Sequence, residues 1–402
     1  MENKHVESKY RWYVLSLSAL TLTFCVAMPR ICMAVLFNEI SADIGLNIVE
    51  VGWIWGFFPL SGILTVFVAG LLSDRFGAKR MLIIACIMGG LAGASRGVSS
   101  NFISLAVTTM LYGLFHGVLP ATILKMIATW FSSRQLGLAI GTLATGMGLG
   151  FTISSMFSAT LLSPMLGGWR GVLFLYGAIS VLISLIWFIT VKEPMTVRTG
   201  TGDRFTTLET IYHVLHNKHV WLISIGMLGY TACIEGMNGY LPLYLREFKG
   251  WLPASADGTL AAFMGFSTLG AVPISLLSDK IGLRKLFLLS IVTAAIVGVG
   301  LLSVADGLLI WVLMILVGVG RDGLIALSNA TNIEDKGIGA QYAGTAGGFM
   351  QTFTRIGSFI SPPMGNSLAA SGAGLPFIVW SAFGAIALVC FLLTRETGHR
   401  QA

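Results

Sequence analysis

Charge is what this chain has least of. Asp, Glu, Lys and Arg make up 11% of its 402 residues, hydrophobic residues make up 55%, and the mean hydropathy is +0.82. Soluble domains carry about 25% charged residues, so a water-soluble globular fold is excluded. Cysteine is scarce as well. Cys25, Cys32, Cys86, Cys233 and Cys390 all lie inside apolar runs without metal-ligand spacing. They read as small packing residues, neither disulfides nor a metal centre. Long polar stretches are missing, which leaves a catalytic domain no place in the chain and argues against an enzyme. No Walker-type phosphate loop occurs, so ATP is not the energy source, and nothing calls for a cofactor. No small-residue cleavage site clearly bounds the first apolar run, which is read as an uncleaved span. The net charge of +7 does not imply nucleic acid, because the basic residues are spread over loops and not gathered in a patch.

What is present is apolar sequence in runs. Crossing a bilayer takes roughly 20 apolar residues, and the length suits about twelve crossings with short connections. The runs place span 1 near Trp12 to Phe37, span 2 near Val51 to Leu72, span 3 near Met81 to Gly97 and span 4 near Phe102 to Ala128. Span 5 falls near Leu136 to Leu162 and span 6 near Gly171 to Val191. Span 7 lies near Val220 to Leu245, span 8 near Leu260 to Leu277 and span 9 near Leu286 to Val304. Span 10 is near Leu308 to Asn332, span 11 near Gly339 to Met364 and span 12 near Leu375 to Leu393. The expected fold is an all-α membrane protein of twelve transmembrane helices in two pseudo-symmetric six-helix bundles.

The expected domains are residues 1–191, a linker over 192–219, and residues 220–402. Within the linker, Phe205, Leu208, Ile211, Tyr212 and Leu215 recur at helical spacing, which suggests an amphipathic helix lying on the membrane surface. His213, His216 and His219 lack nearby cysteines or paired acids, and read as interfacial histidines and not a metal site. Most Lys and Arg fall on the side of the two termini. Only Arg96, Arg170, Arg246 and Lys249 are assigned to the opposite loops. Both termini are therefore expected in the cytoplasm, in a multi-pass protein of a bacterial inner membrane. Glycines four apart, Gly146 with Gly150 and Gly344 with Gly348, suggest close approach of spans 5 and 11 to their neighbours.

One charged turn organises the pattern. GLLSDRFGAKR, Gly70 to Arg80, separates spans 2 and 3, and a weaker copy, SLLSDKIGLRK, spans Ser275 to Lys285. Asp74 and Asp279 are 205 positions apart, the offset of a chain whose second half repeats its first. The two copies resemble the signature loop of the major facilitator superfamily. That resemblance implies a secondary transporter in which the loop helps latch the halves together on the cytoplasmic side. It assigns this role to Gly70, Asp74, Arg75, Gly77, Arg80, Asp279 and Arg284. An acidic group at the end of span 2 could dock on the N-terminal end of span 11, whose dipole favours negative charge. The plainer reading is a charged loop that fixes topology.

Charges inside the membrane carry the functional signal. They are Arg30 in span 1, His116 in span 4, Glu235 in span 7, Arg321 and Asp322 in span 10, and Arg355 in span 11. Each costs at least about 2.5 kcal/mol at the bilayer centre if it faces lipid, so each should face protein or a wet cavity. In the resembled family, spans 1, 4, 7 and 10 line the central cavity.

The segment AMPRICMAVLF around Arg30 looks like the span 1 arginine segment of the organic-anion branches, the anion:cation symporters and their monocarboxylate-like relatives. There the arginine contacts the substrate carboxylate, although Pro29 stands here where an acid usually precedes it. A guanidinium offers carboxylate a planar donor fork and stays charged at any relevant pH. The bland reading is an interhelical pair with Glu235 or Asp322. Arg355 shares a face with Gln351, one turn earlier, and His116 with Tyr112. Asn238 lies one turn beyond Glu235. Arg321 and Asp322 stand about 100° apart round their helix, so one should reach the cavity while the other braces a neighbour.

The substrate-binding candidates are therefore Arg30, Arg355, Gln351, Tyr112, Arg321 and Asn238, and the proton-coupling candidates are Glu235, Asp322 and His116. Together they describe a monomeric, proton-coupled carrier of a small organic anion, a carboxylate. A glycine-proline motif typical of drug antiporters is replaced by TGMGLGFTIS in span 5. That departure weighs against the first rival, a proton-coupled exporter of lipophilic compounds. The second rival is a transport-dead membrane sensor, which would need a signalling domain.

Overall fold

The computed structural model describes residues 9–191, 207–335 and 337–398. Among these residues the chain is helical almost throughout, and ten helices are long and apolar enough to cross a membrane. They are span 1 (Tyr10–Ile44), span 3 (Ala78–Val98), span 4 (Phe102–Trp130), span 5 (Gln135–Met165) and span 6 (Trp169–Thr190) in the first half. In the second half they are span 7 (Lys218–Glu247), span 8 (Pro253–Ile281), span 9 (Arg284–Leu301), span 10 (Leu308–Glu334) and span 12 (Leu375–Leu393). Span 2 (Ile48–Phe76) and span 11 (Gly339–Asn366) complete the twelve-helix pattern. Span 11 is less apolar because it is rich in glycine and carries Gln351 and Arg355.

The helices outrun their apolar runs where polar residues find partners. Span 1 continues seven residues past Phe37 and stops at Gly45, which is left-handed (φ 72°) and donates its N–H to Ser41 O. Span 8 begins at Pro253, several residues before the apolar run, because proline suits the first helical turn. The added turns bring Asp257 into the helix, where it is fully buried and paired with Arg246. Arg246 is thus not a free loop charge. Burial of an ion pair is tolerated here because the partner travels with it.

The described residues divide into two compact units, and the connection Leu245–Ala261 packs with the first. Within the first unit span 3 runs along span 6, and within the second span 9 runs along span 12. Of these ten helices, spans 1 and 7 are the best buried, with 78% of each window inside the protein. Lipid-facing apolar side chains cover the outside, among them Ile103, Ile189, Leu269 and Leu308. All five cysteines are buried and free.

Span 5 meets span 1 through its glycines. A Cβ at Gly150 would sit 2.7 Å from the Ala27 Cβ, and Thr23 Oγ1 donates to Gly146 O at 2.7 Å. The expectation for span 11 fails: nothing described lies within 4 Å of a Cβ at Gly344 or Gly348. Spacing alone does not say which face of a helix a neighbour takes.

The internal repeat is visible in the backbone. Gly77 (φ 85°) and Gly282 (φ 73°), again 205 positions apart, both have a positive φ between consecutive spans. Only glycine adopts one without strain. Of the residues assigned to the latch, Gly70, Asp74 and Arg75 lie on span 2 with side chains outside the description, and Arg80 is exposed.

Asp279 and Arg284 are drawn into a network inside the second unit. Arg284 pairs with Asp279 and donates from Nη2 to Glu334 Oε1 at 2.8 Å, while Glu396 accepts the Arg284 and Lys285 N–H groups at 2.7 and 3.1 Å. The carboxylate of Glu396 thereby caps the N-terminus of span 9. Arg284→Ala is expected to cost about 1.5–3 kcal/mol, the range for a charged hydrogen bond, read as a lower melting temperature of the purified protein. An unchanged melting temperature would mean that this network is solvated in solution.

The linker contains a helix, Thr207–His216. Tyr212 and Leu215 are exposed, whereas Val214 is buried against Val220, Ile338 and Ala346. His213 is hydrogen-bonded to Gly337 O at 2.6 Å and stacks on Tyr342. Phe205 lies outside the described residues. Among the described residues no group of His, Cys, Asp or Glu is arranged to hold a metal.

Candidate functional site

Span 1 does not run as a plain α-helix. Leu22–Ala27 is wound as a π-helix, and Pro29 follows with no N–H to give the preceding turn. π-stretches of this kind are frequent at functional sites. A carbonyl keeps a second lone pair after its helical bond, and three neighbouring helices use those of the next residues. His116 Nε2 of span 4 stands 3.2 Å from Val26 O, Ser154 Oγ of span 5 donates to Met28 O at 2.9 Å, and Arg96 Nη2 of span 3 donates to Pro29 O at 3.0 Å. Since a carbonyl only accepts, His116 carries its hydrogen on Nε2. The backbone leading to Arg30 is thus clamped from three sides.

Arg96, like Arg246, is a residue whose place the sequence does not give. Assigned to an outer loop, it is 1% exposed, spends Nε on Gly93 O and lays its guanidinium 4.0 Å from the centre of the Tyr112 ring. No local pattern marks it, because what buries it comes from spans 1 and 4. Arg30 rests near the faces of Phe58 and Phe151, at 5.2 and 5.8 Å. Arg30, Arg96, Phe58, Trp55 and Thr109 line one cavity of the first unit. Tyr112 and His116 do share a face, with ring centres 5.4 Å apart, and both touch Phe58. The Tyr112 hydroxyl is buried without a hydrogen-bond partner.

A test of the clamp follows. Arg96→Ala should lower stability by about 1.5–3 kcal/mol. Arg96→Lys should restore only part of it, because one ammonium cannot bond the Gly93 and Pro29 carbonyls while lying flat on Tyr112. Thermal unfolding of both variants measures this, and full recovery by lysine would reduce Arg96 to a bare charge.

In the second unit Arg321 is the hub. Its Nη1 donates to Asp322 Oδ1 at 3.0 Å, its Nη2 is 3.7 Å from Glu235 Oε1, and Phe263 lies 5.8 Å from its guanidinium. Glu235 and Arg321 are about 90% buried by side chain, whereas Asp322 is 33% exposed. Spans 7 and 10 therefore bring together three of the ionisable residues that the sequence singled out. Tyr230, unsuspected from sequence, is buried within electrostatic range of Arg321 and leaves its hydroxyl without a hydrogen-bond partner. Asn238 is 1% exposed, and neither amide atom is hydrogen-bonded. Gln351 and Arg355 are half-buried one turn apart, and Thr231 Oγ1 of span 7 donates to the adjoining Thr354 O at 3.0 Å.

Comparison with known proteins adds three relatives and one structure. The profile of the Major Facilitator Superfamily matches residues 19–362. A cis,cis-muconate transport protein of Acinetobacter baylyi is 25% identical over 390 residues, 93% of this chain and 92% of that protein. A hexuronate transporter of Bacillus subtilis is 26% identical over 231 residues, 56% of this chain and 54% of that protein, so this match spans about half of each. The multidrug resistance protein MdtG of Escherichia coli is 25% identical over 324 residues, 78% of this chain and 76% of that protein. Among solved structures, a bacterial homologue of the human lysosomal transporter Spinster, inward-facing and unoccupied, superposes with a TM-score of 0.84 at 16% identity. That match covers 96% of this chain and 97% of the other, and it speaks for the fold alone.

Proposed function

The chain belongs to the Major Facilitator Superfamily, and on that premise we propose that it carries a small organic anion, a carboxylate, across the membrane by alternating access coupled to protons. The observation that carries this reading is Arg30, whose guanidinium lines a cavity with Thr109 while Arg96 braces the backbone behind it. Guanidinium forks match carboxylate geometry, and in a low-dielectric setting each such bond is worth more than in water. The cavity holds about 10 Å3, the space of roughly one water. An organic anion enters only when the surrounding helices move, and alternating access supplies that movement. The muconate and hexuronate relatives are named for carboxylates, which supports the same class.

Proton coupling is assigned to Glu235, with Asp322 and His116 as the other candidates. Glu235 lies 3.7 Å from Arg321 Nη2. A substrate carboxylate that draws Arg321 away would break this pairing, which ties substrate binding to the proton carrier in this reading. The two six-helix halves are joined by the linker 192–219, both termini face the cytoplasm by the distribution of Lys and Arg, and the working unit is the monomer.

A second reading, export of lipophilic compounds, draws on the aromatic walls of the same cavity, Phe37, Trp55 and Phe58, and on the MdtG relative. Uptake by purified protein in proteoliposomes decides between them. Mono- and dicarboxylates, sugar acids and lipophilic cations are offered with and without an inward proton gradient. Gradient-stimulated uptake of a carboxylate is expected, and transport of lipophilic cations alone would overturn the anion reading.

A further inference from the structure

A second cavity is remote from these residues. It lies in the second unit, has a volume of about 360 Å3, and opens where span 7 begins and span 12 ends. From His219 to Glu235 along span 7 is about 24 Å at 1.5 Å per residue, so the crevice is separate from the Arg321 cluster.

Its depth in the membrane is marked by aromatic residues. Trp221 donates from Nε1 to Leu215 O at 2.8 Å and packs edge-on against Phe349, while Tyr212 of the linker helix is 66% exposed. Tryptophan and tyrosine collect at the headgroup level of a bilayer. The linker helix, lying at this end of the unit with an exposed apolar edge, belongs at the same level.

The walls of the crevice are cationic. Lys218 and Arg395 are exposed and line it, and His219, 7% exposed, belongs to its lining. Neither ring nitrogen of His219 makes a hydrogen bond; the Thr331 carbonyl is close but without the geometry for one. The acid of the crevice, Asp335, is already engaged, accepting from Asn217 Nδ2 at 3.0 Å and from Gly337 N–H at 2.9 Å. The positive end of the span 7 dipole points the same way. Leu222 and Leu393, the latter 63% exposed, form an apolar lip.

We propose that this crevice binds the phosphate of an anionic phospholipid headgroup, gripped by Lys218 and Arg395 above His219, with the acyl chains leaving over Leu222 and Leu393. Charge, depth and the apolar lip select a lipid over a soluble ligand, which would have no use for the lip.

The test uses the full chain in nanodiscs of phosphatidylcholine with and without phosphatidylglycerol, and compares wild type with the double variant Lys218→Gln, Arg395→Gln. Both side chains are exposed, so the variant should melt like wild type in phosphatidylcholine. Phosphatidylglycerol should raise the melting temperature of wild type and not of the variant. Lipid retained in native mass spectrometry should fall roughly 30-fold in the variant, as expected for two basic groups at a lipid surface. A variant carrying Arg395→Lys alone should keep most of the retention, because the phosphate needs the charge more than the fork. Equal retention and equal stabilisation of wild type and double variant would overturn the site. A response to inorganic phosphate that depends on Lys218 and Arg395, with none to the lipid, would overturn the lipid and assign the crevice to a soluble phosphate ester. No transport measurement enters, so the result stands apart from the identity of the transported anion.

Discussion

Arg30→Lys is expected to weaken binding of the proposed carboxylate substrate by roughly 1.5–3 kcal/mol, tenfold or more in affinity. Lysine keeps the charge but loses the fork, and a single ammonium cannot hold both carboxylate oxygens. Arg30→Ala should bind worse still. The same substitutions separate the substrate role from a structural one. If Arg30 serves mainly to neutralise a buried acid, its removal leaves that acid uncompensated, and the protein loses stability whether or not ligand is present. If it serves the substrate, melting of the ligand-free protein changes little while ligand-induced stabilisation disappears. The clamp on Val26, Met28 and Pro29 makes the experiment clean, because His116, Ser154 and Arg96 hold the backbone independently of the Arg30 side chain. A well-folded Arg30→Ala that binds and transports the anion like wild type would remove the substrate role and most of the case for an anion.

Glu235→Gln is expected to abolish accumulation driven by a proton gradient while leaving counterflow, which needs no net proton movement. Glutamine keeps the shape of the side chain and can still accept a hydrogen bond from Arg321, but it cannot titrate. The pairing at 3.7 Å is loose for a salt bridge, and the Asp322 contact at 3.0 Å is closer. Arg321 therefore retains one carboxylate partner in the variant, and the fold should survive. Proteoliposome uptake with and without the gradient, beside counterflow at equal pH, measures the split. Normal gradient-driven accumulation by the variant would move the proton to Asp322 or His116.

The location of the helices could be read from the sequence because a bilayer imposes one rule on every span: apolar side chains outside and all backbone groups bonded within the helix. Twelve runs, the charged turns at Asp74 and Asp279, and their 205-residue offset follow from that rule and from duplication of one pattern. Arg30, His116, Glu235, Arg321 and Asp322 stood out for the same reason, since a charge in hydrocarbon is costly wherever it falls. The ends of the spans were less legible. Asp257 lies outside the apolar run Leu260 to Leu277, yet it is buried in span 8 against Arg246, and an apolar run cannot register a pair formed by tertiary structure.

The sequence alone determined that this chain is a helical membrane protein with a repeated architecture and with charge reserved for a few interior positions. Only the tertiary structure decided which of those charges are partners. Arg321 reaches Glu235 of span 7 as well as its own neighbour Asp322, and that choice depends on helix rotation, which hydropathy does not encode. Arg96 became part of the Arg30 cavity for a comparable reason. Its burial depends on the Pro29 carbonyl and the Tyr112 ring, 67 positions before it and 16 after. A short sequence window sees neither, so a buried cation and a loop cation read alike until the helices are in place.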